Sequence, residues 1–145
     1  MSKKNNLNSV IWVLDECVCQ DKERWSVPDG HSVTSATDLS LLGTKDDIIS
    51  EKLKDLYPNK NIIIITKNIH IDKNGDYFRL SNNLGIVRFS SSIASGEDQK
   101  KYFEKFQRSF RNTNKLVGAA ISLSKTNIYY KKRSKSKILK YNNYI

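Results

Sequence analysis

The chain has 145 residues, which is the length of one ordinary domain and enough to bury an apolar core. Hydrophobic residues make up 38% and charged residues 28%, a balance that is typical of globular proteins and excludes a wholly disordered chain. Lysines and arginines number 25 against 15 acidic residues, and the resulting net charge of +10 predicts attraction to polyanions.

The sequence predicts a cytoplasmic protein and neither a membrane nor a secreted one. The longest apolar run, 62–65, is far shorter than the roughly 20 residues that a membrane helix needs. The basic N-terminus has no apolar segment of signal-peptide length behind it. Cys17 and Cys19 are one residue apart, so a disulfide between them would be strained, and the two histidines, His31 and His70, give no zinc-site spacing. We therefore expect reduced thiols.

The predicted elements alternate strands with helices. In chain order they are a strand at 9–14, a strand at 31–37, a helix from Thr44, a strand at 61–65, a strand at 85–89, a helix from Gly96, and two antiparallel strands at 116–123 and 127–131. The first strand is a continuous apolar run that ends abruptly at Asp15 and Glu16. Such a run is typical of a central parallel strand that is covered on both faces.

Both predicted helices are amphipathic. The first carries Asp46 and Asp47 in its first turn, where the helix dipole favours negative charge, and it ends before Pro58. Its apolar stripe comprises Ile48, Ile49, Leu53 and Leu56. The second helix has an aromatic face made of Tyr102, Phe103, Phe106 and Phe110, and a basic face made of Lys100, Lys101, Lys105, Arg108 and Arg111. Helical spacing favours a core role for these aromatic residues over a base-stacking one.

This alternation predicts a single α/β domain at 1–132, with three α/β/α layers, a mainly parallel sheet and a C-terminal β-hairpin. A basic tail at 133–145 is predicted to be solvated. From Lys125 to Ile145 the chain has seven lysines or arginines and no acidic residue.

The carboxyl ends of parallel strands are where α/β proteins bind their ligands. Asp15 and Glu16 end the first predicted strand, and Asn68 follows the third. Asp46 and Asp47 begin the helix that rises beside them. Acidic residues gathered at one edge repel each other unless a cation lies among them, and their oxygen ligands suit Mg²⁺ or Mn²⁺. Such ions activate water and stabilise charge on a scissile phosphate in nucleases.

Three segments in this order resemble the small PIN-like nuclease family. They are Val-Leu-Asp-Glu at 13–16, Asp-Leu-Ser-Leu-Leu-Gly-Thr-Lys-Asp-Asp-Ile-Ile at 38–49, and Ile-Ile-Ile-Ile-Thr-Lys-Asn at 62–68. Members of that family carry Leu-Asp-Glu, then Asp-x-Gly-Leu-x-Gly-x-x-Asp-x-x-Ile, then a strand that ends in Thr-Lys-Asp. The resemblance covers about the first 90 residues.

The resemblance implies a divalent-metal-dependent endoribonuclease, similar to the toxins of toxin–antitoxin pairs. Asp15 would be the first-strand metal ligand and Asp46 the ligand at the helix start, with Glu16 or Asp47 completing the site. Asn68 occupies the place of the third-strand aspartate, and His70 stands where the family often has another. An amide is a neutral and weaker ligand, so a catalytically weakened PIN-like nucleic-acid-binding protein is the alternative.

The expected partners are RNA, with DNA left open as a substrate, an antitoxin protein and a second copy in a homodimer. Phosphate contacts are expected from basic residues near the same edge and from the tail, namely Lys67, Lys73, Arg79, Lys131, Lys132 and Arg133. A third interpretation is an interaction protein in which the acidic cluster has no ligand.

Each candidate residue also has a plain structural interpretation. Asp46 and Asp47 suit a first helical turn for dipole reasons alone. Asp15 and Glu16 could be the polar end of a buried strand. Residues 66–68 could form an ordinary turn after a strand, and the basic tail could be only a soluble extension.

Overall fold

The computed structural model describes residues 9–44, 46–67, 83–110, 115–133 and 135–141, without the side chains of residues 46 and 47. In chain order its elements are β1 (Val10–Leu14), a 3-10 turn (Lys22–Arg24), β2 (Ser32–Ser35), α1 (Asp46–Leu56), β3 (Asn61–Thr66), β4 (Leu84–Phe89), α2 (Gly96–Gln107), β5 (Ala120–Leu123), β6 (Asn127–Lys132) and β7 (Lys135–Lys140). The α/β class that the sequence predicts is confirmed. Among the described residues, no helix has the length and apolar character needed to cross a membrane.

Within the described residues, seven strands form one sheet in the order β2-β1-β3-β4-β5-β6-β7. The strands from β2 to β5 are parallel, and β6 and β7 are antiparallel to their neighbours. The chain leaves β1 towards β2 on one side, and it leaves β3 towards β4 on the other. The carboxyl ends of β1 and β3 therefore flank the switch point at which open α/β sheets bind ligands.

Alternate residues of the central strands contribute to two apolar clusters on opposite faces of the sheet. Trp12, Ile63 and Val87 pack in the cluster that contains the buried face of α2. Val13 and Ile64 pack in the cluster that contains α1. Both faces of β1 and β3 are thus covered, which explains why these strands are apolar without alternation.

The two helices bury different fractions of their predicted apolar faces. On α1, Ile49 and Leu53 are buried, but Ile48 and Leu56 remain 40% and 53% exposed, so half of the predicted stripe does not reach the core. On α2 the aromatic residues Tyr102, Phe103 and Phe106 are buried as predicted, whereas Phe110 lies beyond the end of the helix and is half-buried. Phe103 lies edge-to-face against both Trp12 and Trp25, with ring centroids 5.2 and 5.1 Å away. Ser95 caps this helix by accepting a hydrogen bond from the backbone N–H of Asp98.

The C-terminal region corrects one expectation from the sequence. Residues 135–140, which the sequence predicts to lie in a solvated basic tail, form the edge strand β7 and pair with β6. The lysines of this segment do not prevent strand formation because their charged ends reach solvent, and lysine on an edge strand also discourages further pairing. Arg133 lies in the turn between β6 and β7 and has a positive φ of 57°.

Candidate functional site

Asp15 lies at the carboxyl end of β1, beside the end of β3, and is only 7% exposed. The Thr66 hydroxyl donates a hydrogen bond to Asp15 Oδ2 over 2.7 Å. The backbone N–H of Glu16 donates to Asp15 Oδ1 over 2.9 Å. These bonds fix the carboxylate, and Oδ1, which accepts one hydrogen bond, has a second lone pair that can accept a further contact. Asp15 is therefore a pre-oriented acceptor at the switch point of the sheet.

Cys17 joins the ends of β1 and β3 around this carboxylate. Its Sγ lies 3.4 Å from Asp15 Oδ2 and 3.3 Å from Thr66 Oγ1, and it accepts a hydrogen bond from the backbone N–H of Lys67. Cys17 is exposed as a residue, but partial desolvation of its sulfur raises the pKa of the thiol, and the negative charge of Asp15 raises it further. The hydrogen bonds that join the sulfur to the Thr66 hydroxyl and to the backbone N–H of Lys67 lower the pKa but do not outweigh burial.

We expect Cys17 to react slowly with iodoacetamide at mildly alkaline pH. Its raised pKa keeps the thiol protonated to a higher pH than usual, and the thiolate is the reactive form. Asp15→Asn removes the neighbouring charge, so Cys17 should then react faster at the same pH. Peptide mass spectrometry of pH-dependent labelling separates Cys17 from Cys19. A Cys17 that is labelled as quickly in the folded protein as in the denatured chain would contradict this environment.

The Glu16 side chain is hydrogen-bonded to the segment that precedes α1, at the same edge of the sheet as Asp15. Its side chain is exposed, and Oε2 accepts a hydrogen bond from the backbone N–H of Gly43 over 3.0 Å. Gly43 has a positive φ of 75°, which glycine adopts without strain. Asp46 begins α1 three residues later, so its backbone lies within about 10 Å of Gly43. The first-strand and helix-start segments therefore approach each other as expected.

Part of the predicted metal site lies outside the described residues. Asn68 is beyond them, directly after Lys67, and so are the side chains of Asp46 and Asp47. Among the residues that are described, no group of three or more His, Cys, Asp or Glu side chains could hold a metal ion. Of the carboxylates proposed as ligands, the described geometry thus places Asp15 and Glu16 at the edge.

Gln20 connects the loop after β1 to the end of β2. Its side-chain amide N–H donates to the backbone carbonyls of Asp15 and Val18 over 2.6 and 3.1 Å. Its carbonyl oxygen accepts from the hydroxyl of Thr37 over 2.9 Å. The loop that follows Asp15 is therefore held in place on both sides. Sequence inspection missed Gln20 and Cys17 because neither belongs to a recognisable spacing. Thr66 is part of the 62–68 segment, but its hydrogen bond to Asp15 was not predicted.

The predicted phosphate-binding residues do not all lie near Asp15. Lys67 follows β3 at the Asp15 edge, whereas Lys73 and Arg79 lie outside the described residues. Because β6 begins at that edge and runs antiparallel to β5, Lys131, Lys132 and Arg133 lie towards the opposite edge. Four strand spacings separate β6 from β1, which puts Lys131 about 20 Å from Asp15. The structure does not bring these three residues to the candidate metal site.

Arg88 is a basic residue that is not among the phosphate-binding residues predicted from the sequence. It is directly opposite Thr66 in the β3–β4 register, so its side chain projects from the same face of the sheet. Arg88 Nε donates to the Ser122 hydroxyl over 3.3 Å, and Ser122 is its opposite neighbour on β5. A half-buried guanidinium therefore lies two strands from the Asp15 carboxylate.

Comparison with models of protein families, with curated proteins and with solved structures gave no match to this chain. The fold and site themselves define an α/β protein whose mainly parallel sheet presents a buried, hydrogen-bonded carboxylate at its switch point.

Proposed function

We propose that this protein is a divalent-metal-dependent endoribonuclease with a three-layer PIN-like domain and a C-terminal β-hairpin. The observation that carries the proposal is the placement of Asp15, a buried carboxylate held by Thr66 and the backbone of Glu16 at the switch point between β1 and β3. Burying a carboxylate in this way is costly unless it is well hydrogen-bonded or binds a cation. The carboxyl ends of parallel strands beside a switch point are where open α/β sheets bind ligands, so a cation is the proposed partner of this carboxylate.

The proposed ligands of a Mg²⁺ or Mn²⁺ ion are Asp15 and Asp46, with Asn68 and either Glu16 or Asp47 completing the site. The donor set fits a hard cation because it consists of carboxylate and amide oxygens. When bound, the ion would activate a water molecule and neutralise charge on the scissile phosphate. Thr66 would then act as a positioning residue that orients Asp15, in the way that groups hydrogen-bonded to metal ligands generally do.

Positive charge supports a nucleic-acid substrate in this proposal. The chain carries a net charge of +10, and Lys67 and Arg88 lie near the carboxylate. Such groups attract and position the phosphate backbone without reading its sequence. A toxin role with an antitoxin partner, action in the cytoplasm and a homodimer belong to the same proposal and rest on the family resemblance.

The second candidate is a PIN-like nucleic-acid-binding protein with weakened catalysis. The observation that favours it is Asn68, because an amide replaces the carboxylate of the family motif Thr-Lys-Asp. A neutral ligand contributes less to cation affinity than a carboxylate does. Under this candidate the protein binds RNA in the presence of a metal chelator but leaves it uncut.

Asn68→Asp tests the metal site directly. We expect the variant to bind Mn²⁺ more tightly than the parent, and to cleave labelled single-stranded RNA faster at limiting Mn²⁺, because a charged oxygen replaces a neutral one. Calorimetric titration with Mn²⁺ and gel analysis of the RNA measure the two effects. Asn59→Asp is a matched control, since it adds the same charge beyond the opposite end of β3, at an exposed position with a positive φ of 62°.

Two results would contradict the metal-dependent nuclease. The first is an Mn²⁺ affinity that is the same in the parent, Asn68→Asp and Asn59→Asp. The second is an absence of Mn²⁺-dependent or Mg²⁺-dependent cleavage by both the parent and Asn68→Asp. If the protein binds RNA but does not cleave it with either Mn²⁺ or Mg²⁺, the result would favour the second candidate, the nucleic-acid-binding protein with weakened catalysis.

A further inference from the structure

A row of aligned residues connects the Asp15 site to the far side of the sheet. Thr66, which bonds Asp15, is opposite Arg88, and Arg88 is opposite Ser122. The same register continues from Ser122 to Tyr129 on β6 and then to Ile138 on β7. Opposite residues project from the same face, so these side chains form one continuous line. At about 4.8 Å per strand, Tyr129 lies roughly 19 Å from Asp15.

The far end of this row is an exposed apolar surface surrounded by positive charge. Tyr129 is 42% exposed and Ile138 is 69% exposed, whereas Ile128 and Tyr130 on the other face of β6 are buried. Alternation places Lys131 and Lys140 on the same face, beside these two residues. The three strands β5, β6 and β7 contain no acidic residue. We call Tyr129, Lys131, Ile138 and Lys140 the β6–β7 platform.

We propose that the β6–β7 platform binds single-stranded RNA and directs it along the row towards Asp15. The ring of Tyr129 would stack on a base, and Lys131 and Lys140 would contact the phosphates on either side. Between the platform and the carboxylate, Thr66 and Ser122 are buried and Arg88 is half-buried, so Arg88 would contact the strand there. This inference rests on the proposed function, because it concerns the substrate of that same site.

Charge and composition favour RNA over a protein partner on this surface. The centres of protein–protein interfaces are depleted in lysine, whereas the platform has a lysine on each side of its apolar pair. Single-stranded nucleic-acid sites characteristically combine a basic track with an exposed aromatic ring on a sheet. The plain structural explanation is that Tyr129 and Ile138 form a stabilising cross-strand pair, and the experiments below separate it from binding.

The first experiment compares the two faces of the same pair of strands. Lys131→Gln with Lys140→Gln removes two charges from the platform, and Lys135→Gln with Lys137→Gln removes two from the opposite face. Both pairs change the net charge equally, and all four side chains are exposed. Affinity for a fluorescent oligouridine is measured by anisotropy in EDTA over a range of salt concentrations. We expect the platform pair to flatten the logarithmic salt slope by about 1.4, since each lost contact removes about 0.7.

A second experiment tests the stacking role of Tyr129. Tyr129→Thr keeps a residue that favours strands but removes the ring, and we expect it to weaken oligouridine binding about tenfold or more. Tyr129→Phe should bind as the parent does because it keeps the ring. Ile138→Thr breaks the same cross-strand pair while leaving Tyr129 intact, so it should have a much smaller effect on binding. Thermal unfolding of each variant shows whether the fold is retained.

Several outcomes would contradict the proposal that the β6–β7 platform binds single-stranded RNA. These are equal salt slopes for the two lysine pairs, equal losses of affinity in Tyr129→Thr and Ile138→Thr, and no oligouridine binding by the parent at low salt. A change of oligomeric state in Tyr129→Thr with unchanged RNA affinity would make the surface an interface between copies. Because binding is measured in EDTA, it does not require cleavage. A protein that binds through the platform without cutting RNA would therefore sustain this inference while contradicting the nuclease.

Discussion

Asp15→Asn is expected to lower metal-dependent RNA cleavage by at least about a hundredfold. Residues that merely orient metal ligands typically contribute 10-fold to 100-fold to activity, so removing the charge of a ligand should exceed that range. Asp15 is the buried carboxylate at the switch point, and Glu16, the other carboxylate placed there, is exposed and bonded to Gly43. A single exposed neighbour cannot replace its charge. The measurement is the single-turnover cleavage rate of labelled RNA at saturating Mn²⁺.

The same variant should remain folded. The asparagine oxygen can still accept the Glu16 N–H, and its amide can donate to the Thr66 hydroxyl in place of the bond that Asp15 accepts now. Asp29→Asn makes the same chemical change at an exposed turn before β2, and it should leave cleavage unchanged. Full activity in Asp15→Asn would remove this residue from the metal site. Unfolding of Asp15→Asn, with Asp29→Asn intact, would show that the carboxylate is structural.

The apolar runs of the sequence predicted the centre of the sheet well. Residues 9–14 and 61–65 correspond to β1 and β3, and their lack of alternation reflects burial on both faces. The position of Asp15 follows from the same physics, because the first charged residue after a buried strand must lie where the strand reaches the sheet edge. Convergence of the β1 end with the segment before α1 was likewise predictable from the parallel topology.

The contacts around Asp15 could not be predicted from the sequence in the same way. Cys17 and Thr66 are separated by 49 positions, and their meeting depends on the register between β1 and β3. Two further strand pairings align Arg88 with Thr66 and Ser122, and two more align Ser122 with Tyr129 and Tyr129 with Ile138. A shift of one residue in any pairing would move these side chains to the other face. Local patterns do not encode such registers.

The edge strand β7 could not be predicted from the sequence for a different reason. Its segment Lys-Ser-Lys-Ile-Leu-Lys contains three lysines and has no buried face strong enough to indicate a strand. Pairing with β6 supplies hydrogen bonds to one side of the β7 backbone, and the charged lysine side chains on both faces are solvated. Strand formation here depends on a neighbour and not on intrinsic preference, which is the general behaviour of β structure.

Gly85→Ala is expected to destabilise the protein by about 3 kcal/mol, at the upper end of the range for overpacked sites. A Cβ at this position would lie 2.3 Å from the carbonyl oxygen of Leu116, and 3.3 Å from that of Ala119. These are backbone atoms, so rotating a side chain cannot relieve the clash. The turn before β5 therefore needs glycine in β4 in order to pass directly over the strand.

Gly96→Ala provides the matched comparison for this change. Its Cβ would meet the Cys19 side chain at an ordinary 3.6 Å, and the position opens α2, where alanine is favoured over glycine. Gly96→Ala should leave stability unchanged or raise it by up to about 1 kcal/mol. Urea unfolding of both variants gives the two free energies. Equal stabilities would mean that the turn at 115–119 does not lie over β4, and the β4–β5 register that aligns Arg88 with Ser122 would then lose its support.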